Sequence, residues 1–191
     1  MELTEFAPEV LLVGHGSHST NNLQAAGLDC GACGGQTGEV NVRVLAQLLN
    51  DQEVRDTLAN LGTTIPQLTK FIAALHNTTT DHIEYFDKSL SQSSQEWLQA
   101  ATSVAQRERI SDIDTNLQHA TDKQIDNALV ERSKDWSQVR PEWGLANNAA
   151  FIVAPRHWTK QINLQGRSFL HDYQWQKDKD FAVLELIMTA P

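Results

Sequence analysis

The sequence predicts an α/β fold whose core is a mainly parallel sheet flanked by helices. Three short runs of consecutive apolar residues, Val10–Val13, Phe71–Leu75 and Ala150–Val153, have the length and composition of buried parallel strands. Segments with helical spacing of apolar residues separate these runs, and polar or glycine-rich residues follow the first two of them. Strands that alternate with helices are typical of a sheet in which the chain crosses back between parallel neighbours.

The elements of the first half follow from this spacing. The first predicted strand ends at Gly14, and a long glycine-bearing loop continues as far as Asn41. Apolar residues then recur at helical spacing and predict a helix from about Asn41 to Asn50. A second helical pattern comes next and stops at Gly62, because glycine is a common residue just after a helix.

The second half is more polar and is predicted to be mostly helical. An amphipathic pattern predicts a helix over roughly Ser91–Ile110, and the polar stretch Ser111–Trp136 is also predicted to be helical. The segment "RPEWGLANN" predicts a turn that leads into a short helix before the third strand. Beyond Arg156 we expect irregular structure until a terminal helix at Phe181–Met188.

Length and composition fit a globular segment. The chain has 191 residues, of which 40% are hydrophobic and 20% are charged, values that are ordinary for a globular domain. We therefore expect a single α/β segment over residues 1–191. Its core is expected within residues 5–156, and residues 157–191 are expected to form the irregular region and the terminal helix.

The charge and the N-terminus exclude some functional classes. A net charge of −9 and a pI near 5.1 argue against a nucleic-acid partner, because a phosphate backbone is bound by clustered Lys and Arg. No apolar run is long enough to span a membrane, and the first residues do not resemble a signal peptide. The two cysteines, spaced as Cys-x-x-Cys, suggest metal or thiol chemistry in a reducing compartment rather than a structural disulfide.

The segment after the first strand gathers the residues of a candidate metal site: His15, His18, Asp29, Cys30 and Cys33. Imidazole nitrogen and thiolate sulfur are preferred ligands of zinc, and the glycines allow the backbone to turn tightly around a metal ion. Asp29 could orient a ligand from outside the first coordination shell or cap the loop, and His18 is expected in solvent or in that outer shell. A thiol-redox pair and an ordinary tight turn with unreactive cysteines remain alternatives, although Gly31, Gly34 and Gly35 disfavour the helix that a redox motif normally begins.

Polar residues also follow the second strand. His76, Thr78, Thr79 and Asp81 come directly after it, and Arg156 comes just after the third strand. If the three strands share one largely parallel sheet, then His15 and His76 lie at the same carboxyl edge. There His76, Thr78, Thr79 and Asp81 could line the pocket of His15, and a plain polar turn is the alternative for each of them. Arg156 could bind an anion or pair with an acid.

Several motifs, taken in order, resemble one family. They are "LLVGHGSHSTNN", "DCGACGGQTGEVNVRVLAQLLN", "FIAALHNTTTD", "RPEWGLANNAAFIVAPR" and "GRSFLHDY". Together they look like the DabA family of bacterial inorganic-carbon accumulation proteins, whose zinc site is β-carbonic-anhydrase-like. The resemblance implies a β-carbonic-anhydrase-like, Rossmann-like three-layer segment excised from a longer protein. "LLVGHGS" alone also resembles the start of tetrapyrrole metal chelatases, and a purely structural or interaction segment is a further alternative.

The resemblance implies a ligand set of which this chain holds half. The family's zinc is bound by Cys and Asp of an upstream Cys-x-Asp-x-Arg motif, and by a His and a Cys that match His15 and Cys30. No residues here match the upstream motif, so catalysis by the isolated segment is not expected. In the family mechanism, zinc lowers the pKa of a water molecule that then attacks carbon dioxide to give bicarbonate.

The resemblance also implies a partner and a location. The resemblance implies action with a membrane-embedded subunit that is similar to a cation-translocating dehydrogenase subunit. The parent protein is then expected at the cytoplasmic side of the bacterial inner membrane, as a peripheral component of the complex.

Overall fold

The computed structural model describes residues 5–23, 35–138, 149–165 and 167–189, and it confirms the α/β class. Strands β1 (Glu9–Gly16) and β2 (Lys70–Asn77) pair in parallel, in register from Glu9 opposite Lys70 to Gly16 opposite Asn77. Both strands are longer than their apolar runs predict, so that His15 lies within β1 rather than after it. Five consecutive residues of β2, Phe71–Leu75, are buried, as expected for a strand covered on both faces.

A third strand that the sequence pattern does not predict completes this sheet. Strand β3 (Ile83–Tyr85) pairs antiparallel with β2, which gives the order β1-β2-β3. Three residues are too few to show a period in the sequence, and the strand forms because the chain reverses directly after β2. The sheet is therefore mixed rather than wholly parallel.

Two consecutive helices connect β1 to β2. Helix α1 (Glu39–Asn50) begins two residues before the predicted start, and helix α2 (Gln52–Asn60) follows it after Asp51. The Asp51 side chain accepts hydrogen bonds from the amides of Glu53 and Val54, which caps α2. The apolar side of α1 packs on the sheet, and the buried core there consists of Ala46, Ile65, Phe71 and Ala73.

Two further helices form a second core. Helix α3 (Gln92–Ile113) and helix α4 (Asp122–Arg132) replace the two predicted helical stretches, because the chain leaves α3 at Asp114 and re-enters a helix only after Thr121. A reciprocal hydrogen-bonded cap between Thr121 and Gln124 starts α4. The fully buried residues between the helices are Ile110, Ile125 and Leu129.

The prediction of one sheet for all three apolar runs is wrong. Strand β4 (Ala150–Ala154) pairs in parallel with β5 (Ser168–Asp172), and these two strands form a separate sheet. Strand β5 lies in the stretch predicted to be irregular, since its short sequence "SFLHD" mixes polar and apolar residues. The predicted terminal helix is confirmed as α5 (Ala182–Thr189).

The described helices include none that is both long and apolar enough to cross a membrane. The longest of them, α3, is polar along much of its length. The predicted turn and short helix at residues 140–148 lie outside the described residues.

Candidate functional site

His15 and His76 occupy paired positions at the carboxyl ends of the two parallel strands. Paired residues of neighbouring strands project from the same face of a sheet, and successive residues alternate between faces. Because Val10, Leu12 and their partners face α1, the side chains of His15 and His76 project from the opposite face. The expectation that these histidines share the carboxyl edge is therefore confirmed.

The N-terminus of α1 lies against the end of β1. The amide of Gly38, which precedes α1, donates a 2.8 Å hydrogen bond to the carbonyl oxygen of His15. A Cβ atom on Gly14 would lie 2.8 Å from the Gly38 carbonyl oxygen, so only glycine allows this approach. The chain that leaves the site after β1 therefore returns to it at Gly38, and Cys30 belongs to the connecting stretch.

A tight turn, residues 77–82, follows β2 and is held by the Asn77 backbone. The amides of Thr80 and Asp81 donate to the Asn77 carbonyl oxygen at 3.2 and 2.7 Å, and the Thr79 amide donates to the Asn77 side chain at 3.1 Å. Asp81 adopts a left-handed conformation with φ of 61°. Non-glycine residues rarely adopt this conformation, and aspartate is among those that tolerate it best.

The turn presents the Asp81 carboxylate to a histidine and an arginine. Asp81 is buried, and its Oδ1 atom lies 3.0 Å from Nε2 of His76. Arg109 of α3 donates from Nε to Oδ2 at 2.7 Å and from Nη2 to Oδ1 at 2.9 Å. Burial raises the pKa of Asp81, but the hydrogen bonds from His76 and Arg109 outweigh it and lower the pKa below its usual value. Asp81 is therefore ionised at neutral pH.

Helix α3 also holds the backbone of the turn. The Thr102 hydroxyl donates to the Asp81 carbonyl oxygen at 3.0 Å, and the side-chain nitrogen of Gln106, Nε2, donates to the Thr80 carbonyl oxygen at 2.8 Å. The same Gln106 nitrogen lies 2.8 Å from Oδ1 of Asp126, which His82 contacts at 2.6 Å. The turn thus lies between two different networks, with Asp81 in one and His82 in the other.

A cavity lies beside each network. One, of about 520 Å³, is lined by His82, Gln106 and Asp126 among others. The other, of about 980 Å³, is lined by Asp81 and Arg109 together with residues 160–163 of the segment after β4. The arginine that binds Asp81 is therefore accessible from the side of the second cavity.

The remaining predicted site residues are distributed differently. His18 is exposed, and its Nδ1 atom lies 3.5 Å from the Asn77 side-chain nitrogen, so it is close to the same strand ends. Thr78 binds the Gly16 carbonyl oxygen through both its amide and its hydroxyl. Arg156 contacts the second sheet, where its amide donates to Asp172 at 3.0 Å. Asp29, Cys30 and Cys33 lie outside the described residues.

Sequence reasoning missed Arg109 altogether. Its position in a run of charged residues, "QRERISD", resembles any solvated helix face, and only the packing of α3 brings it to Asp81. The contact between His76 and Asp81 could have been predicted, because a carboxylate five residues after a histidine can reach it when the chain turns between them.

A zinc ion needs several His, Cys, Asp or Glu ligands at one place. Within residues 5–23, 35–138, 149–165 and 167–189, no group of three or more His, Cys, Asp or Glu side chains is placed to hold a metal. His15 is exposed at a strand end, and imidazole is a suitable zinc ligand. The role of His15 as a zinc ligand therefore stays a prediction.

The fold and the strand-end residues define an α/β segment with paired histidines at the carboxyl edge of a parallel strand pair, where open α/β sheets usually bind ligands. Residues 1–191 match the family model described as "Probable inorganic carbon transporter subunit DabA", and the chain belongs to the DabA family.

Three relatives show how much of a family member the chain represents. It is 57% identical to the protein of this name from Marinomonas sp. (strain MWYL1), with 100% of this chain and 24% of the relative covered. It is 56% identical to that of Hydrogenovibrio crunogenus, with 98% and 23% covered, and 53% identical to DabA2 of Halothiobacillus neapolitanus, with 97% and 23% covered. The chain therefore spans less than a quarter of the length of each. No solved structure matches it.

Proposed function

We propose that this chain is a segment of a zinc-dependent carbon dioxide hydratase subunit that serves inorganic carbon uptake. It would supply two of four zinc ligands, His15 and Cys30. The observation that supports this most strongly is the position of His15, paired with His76 at the carboxyl edge of β1 and β2. The relatives' names, which describe an inorganic carbon transporter subunit, supply the substrate class.

The geometry around His15 suits a metal ligand. The Gly38 amide binds the His15 carbonyl oxygen, so the backbone that carries the imidazole has a defined position in the sheet. Cys30 lies in sequence between Leu23 and Gly35, and in this proposal it binds the same ion as His15. When bound, zinc would supply the Lewis acidity that allows water to react with carbon dioxide near neutral pH.

The reaction is the addition of water to carbon dioxide, which gives bicarbonate and one proton. In this proposal the described residues position the ion and the water, and hold the strand ends together. The Cys and Asp of the upstream motif would come from the rest of the polypeptide, together with the arginine that follows them. The isolated chain is consequently expected to lack activity.

The partner and location are part of the proposal. Relatives are named as subunits, which supports action in a complex. We propose that the partner is a membrane-embedded subunit resembling a cation-translocating dehydrogenase subunit. The complex would then lie at the cytoplasmic side of the inner membrane, with this segment peripheral to it.

Uptake by the full-length protein with its partner subunit tests this function. Cells that depend on the complex for inorganic carbon would be compared with cells carrying His15→Ala or, as a matched control, His119→Ala. His119 is an exposed histidine in the segment between α3 and α4. We expect carbon accumulation to be lost with His15→Ala at normal protein abundance and to be retained with His119→Ala. Normal accumulation with His15→Ala would refute the proposal.

A further inference from the structure

Contacts within this chain, rather than a bound substrate, hold the Asp81 carboxylate in place. Its own amide and carbonyl are bound by Asn77 and Thr102, at 2.7 and 3.0 Å. Arg109 binds both carboxylate oxygens, in the two-point arrangement that sets the plane of a carboxylate. The Oδ1 atom that faces His76 is thereby held at one place on the sheet edge.

This arrangement determines which nitrogen of His76 carries a hydrogen. An ionised carboxylate can only accept hydrogen bonds, and the low pKa of Asp81 keeps it ionised. The 3.0 Å contact therefore requires a hydrogen on Nε2 of His76. In a neutral imidazole the other nitrogen, Nδ1, is then an acceptor.

We propose that Asp81 and Arg109 are a positioning pair that holds the His76 ring with Nε2–H bound to Asp81, so that Nδ1 accepts a hydrogen bond from the reacting water at the edge shared with His15. The inference rests on the proposed function, because it assigns His76 to the same hydration site. In this proposal Arg109 acts on the site through Asp81, and Asp81 acts on it through His76.

The carboxylate chemistry explains why both partners are needed. Arg109 presents two N–H groups and His76 presents one, and an ionised aspartate accepts all three. Asparagine has a single acceptor oxygen. If Asp81→Asn keeps that oxygen towards Arg109, its amide faces His76 and favours the opposite tautomer, with hydrogen on Nδ1. In a serine protease triad the corresponding change of aspartate to asparagine acts through the wrong histidine tautomer.

The turn has other anchors, so the positioning role can be separated from a structural one. Thr102 and Gln106 bind the backbone of Asp81 and Thr80 whatever the charge at position 81. A variant that changes only the carboxylate therefore leaves these contacts in place.

The most direct test compares His76→Asn with His76→Gln in the full-length protein with its partner subunit. The side-chain amide of asparagine occupies the place of Nδ1, and that of glutamine reaches the place of Nε2. Carbon dioxide hydration would be measured against substrate concentration, with zinc content and thermal midpoint measured on the same preparations. A merely structural role predicts that Gln, which keeps the bond to Asp81, is the better replacement.

We expect the maximal rate of His76→Asn to exceed that of His76→Gln by at least threefold. Asp81→Asn is expected to lower the maximal rate at least tenfold, with unchanged zinc content and half-saturating carbon dioxide, and the double variant Asp81→Asn/His76→Gln to be no slower than His76→Gln alone. His82→Gln, in the same turn but bound to Asp126, is the control and is expected to stay within twofold of wild type.

Three results would overturn the inference: Gln outperforming Asn at position 76, a wild-type rate for Asp81→Asn, or independent losses in the double variant. If both His76 variants are inactive, the Asp81→Asn rate decides. A His15→Ala variant distinguishes failure of the proposed function from failure of the positioning role. If it stays active and zinc-loaded, the proposed function fails. If it is inactive while Asp81→Asn is normal, only the positioning pair fails.

Discussion

Gly14 of β1 and Gly38, which immediately precedes α1, are in backbone contact, so the N-terminus of α1 lies directly against the end of β1. A Cβ atom on Gly14 would lie 2.8 Å from the carbonyl oxygen of Gly38, and one on Gly38 would lie 3.1 Å from the Cα atom of Gly14. Contacts of this length to backbone atoms cannot be relieved by a side-chain rotation. The pair therefore fixes the distance between the helix and the strand that carries His15.

Gly14→Ala is accordingly expected to destabilise the full-length protein by about 1–3 kcal/mol, the usual cost of forcing extra atoms into a packed site. Gly38→Ala should cost less, because its Cβ would meet its nearest neighbour at a longer distance. Thermal or denaturant unfolding of the two variants checks the order. Equal stability of Gly14→Ala and wild type would show that the helix is not held at this distance.

The contribution of Asp81 to stability depends on pH. Its pKa is lowered in the folded protein: burial raises it, but the bonds from His76 and Arg109 lower it by more. A carboxyl group with a depressed folded pKa stabilises the fold above its unfolded pKa of about 3.9, and this stabilisation is lost as pH falls through the folded value.

The Asp81→Asn variant is therefore expected to be less stable than wild type by about 1–3 kcal/mol at neutral pH, as for a buried group that loses a hydrogen bond. The difference should shrink as pH falls below about 3.9, because Asp81 is then protonated in the unfolded chain and finally in the folded protein. Denaturant unfolding between about pH 4 and pH 2 measures it. A difference that grows over this acidic range would contradict the sign of the pKa shift.

The core between α3 and α4 stabilises the helix that holds the turn at residues 77–82. Leu129 is fully buried between these helices, and α3 carries the residues that hold Asp81. Leu129→Ala is expected to cost about 2–5 kcal/mol because it leaves a cavity. Val104→Ala is the control, since Val104 is 60% exposed and its truncation should change stability by less than about 0.5 kcal/mol. Similar unfolding midpoints for the two variants would contradict the assignment of this core.

The sequence predicts the strands of the site well because their chemistry is local. A continuous apolar run predicts each of β1 and β2, and parallel pairing then brings His15 and His76 together. The partner of the third run could not be predicted, because "SFLHD" has neither a continuous apolar run nor a strict alternation. Which strands pair depends on contacts between residues far apart in sequence, and a short stretch of sequence does not reveal them.

The contacts of Asp81 show a second limit of prediction from sequence. His76 and Asp81 are close in sequence, but Arg109 lies 28 positions further on and meets Asp81 only because α3 packs beside the turn. Which charged residue of a polar helix faces inward is decided by tertiary packing. The ligand role of Cys30 depends on resemblance to the family and remains a prediction.

The isolated chain provides a separate prediction. If two of the four ligands lie elsewhere in the polypeptide, the 191-residue chain with added zinc should bind the metal weakly and should not hydrate carbon dioxide, since a catalytic zinc site needs about three protein ligands. A hydration assay beside the full-length protein checks this. Zinc-dependent turnover by the chain alone would show that the upstream motif is dispensable.

The zinc content of the full-length protein tests the central claim most directly. Metal per polypeptide would be measured for wild type, His15→Ala, Cys30→Ala and the exposed-histidine control His119→Ala, all at matched purity and folding. We expect about one zinc per wild-type and control polypeptide, as in a mononuclear catalytic site, and a marked loss of zinc in the other two variants. Equal zinc content in all four proteins would contradict the assignment of His15 and Cys30 as ligands.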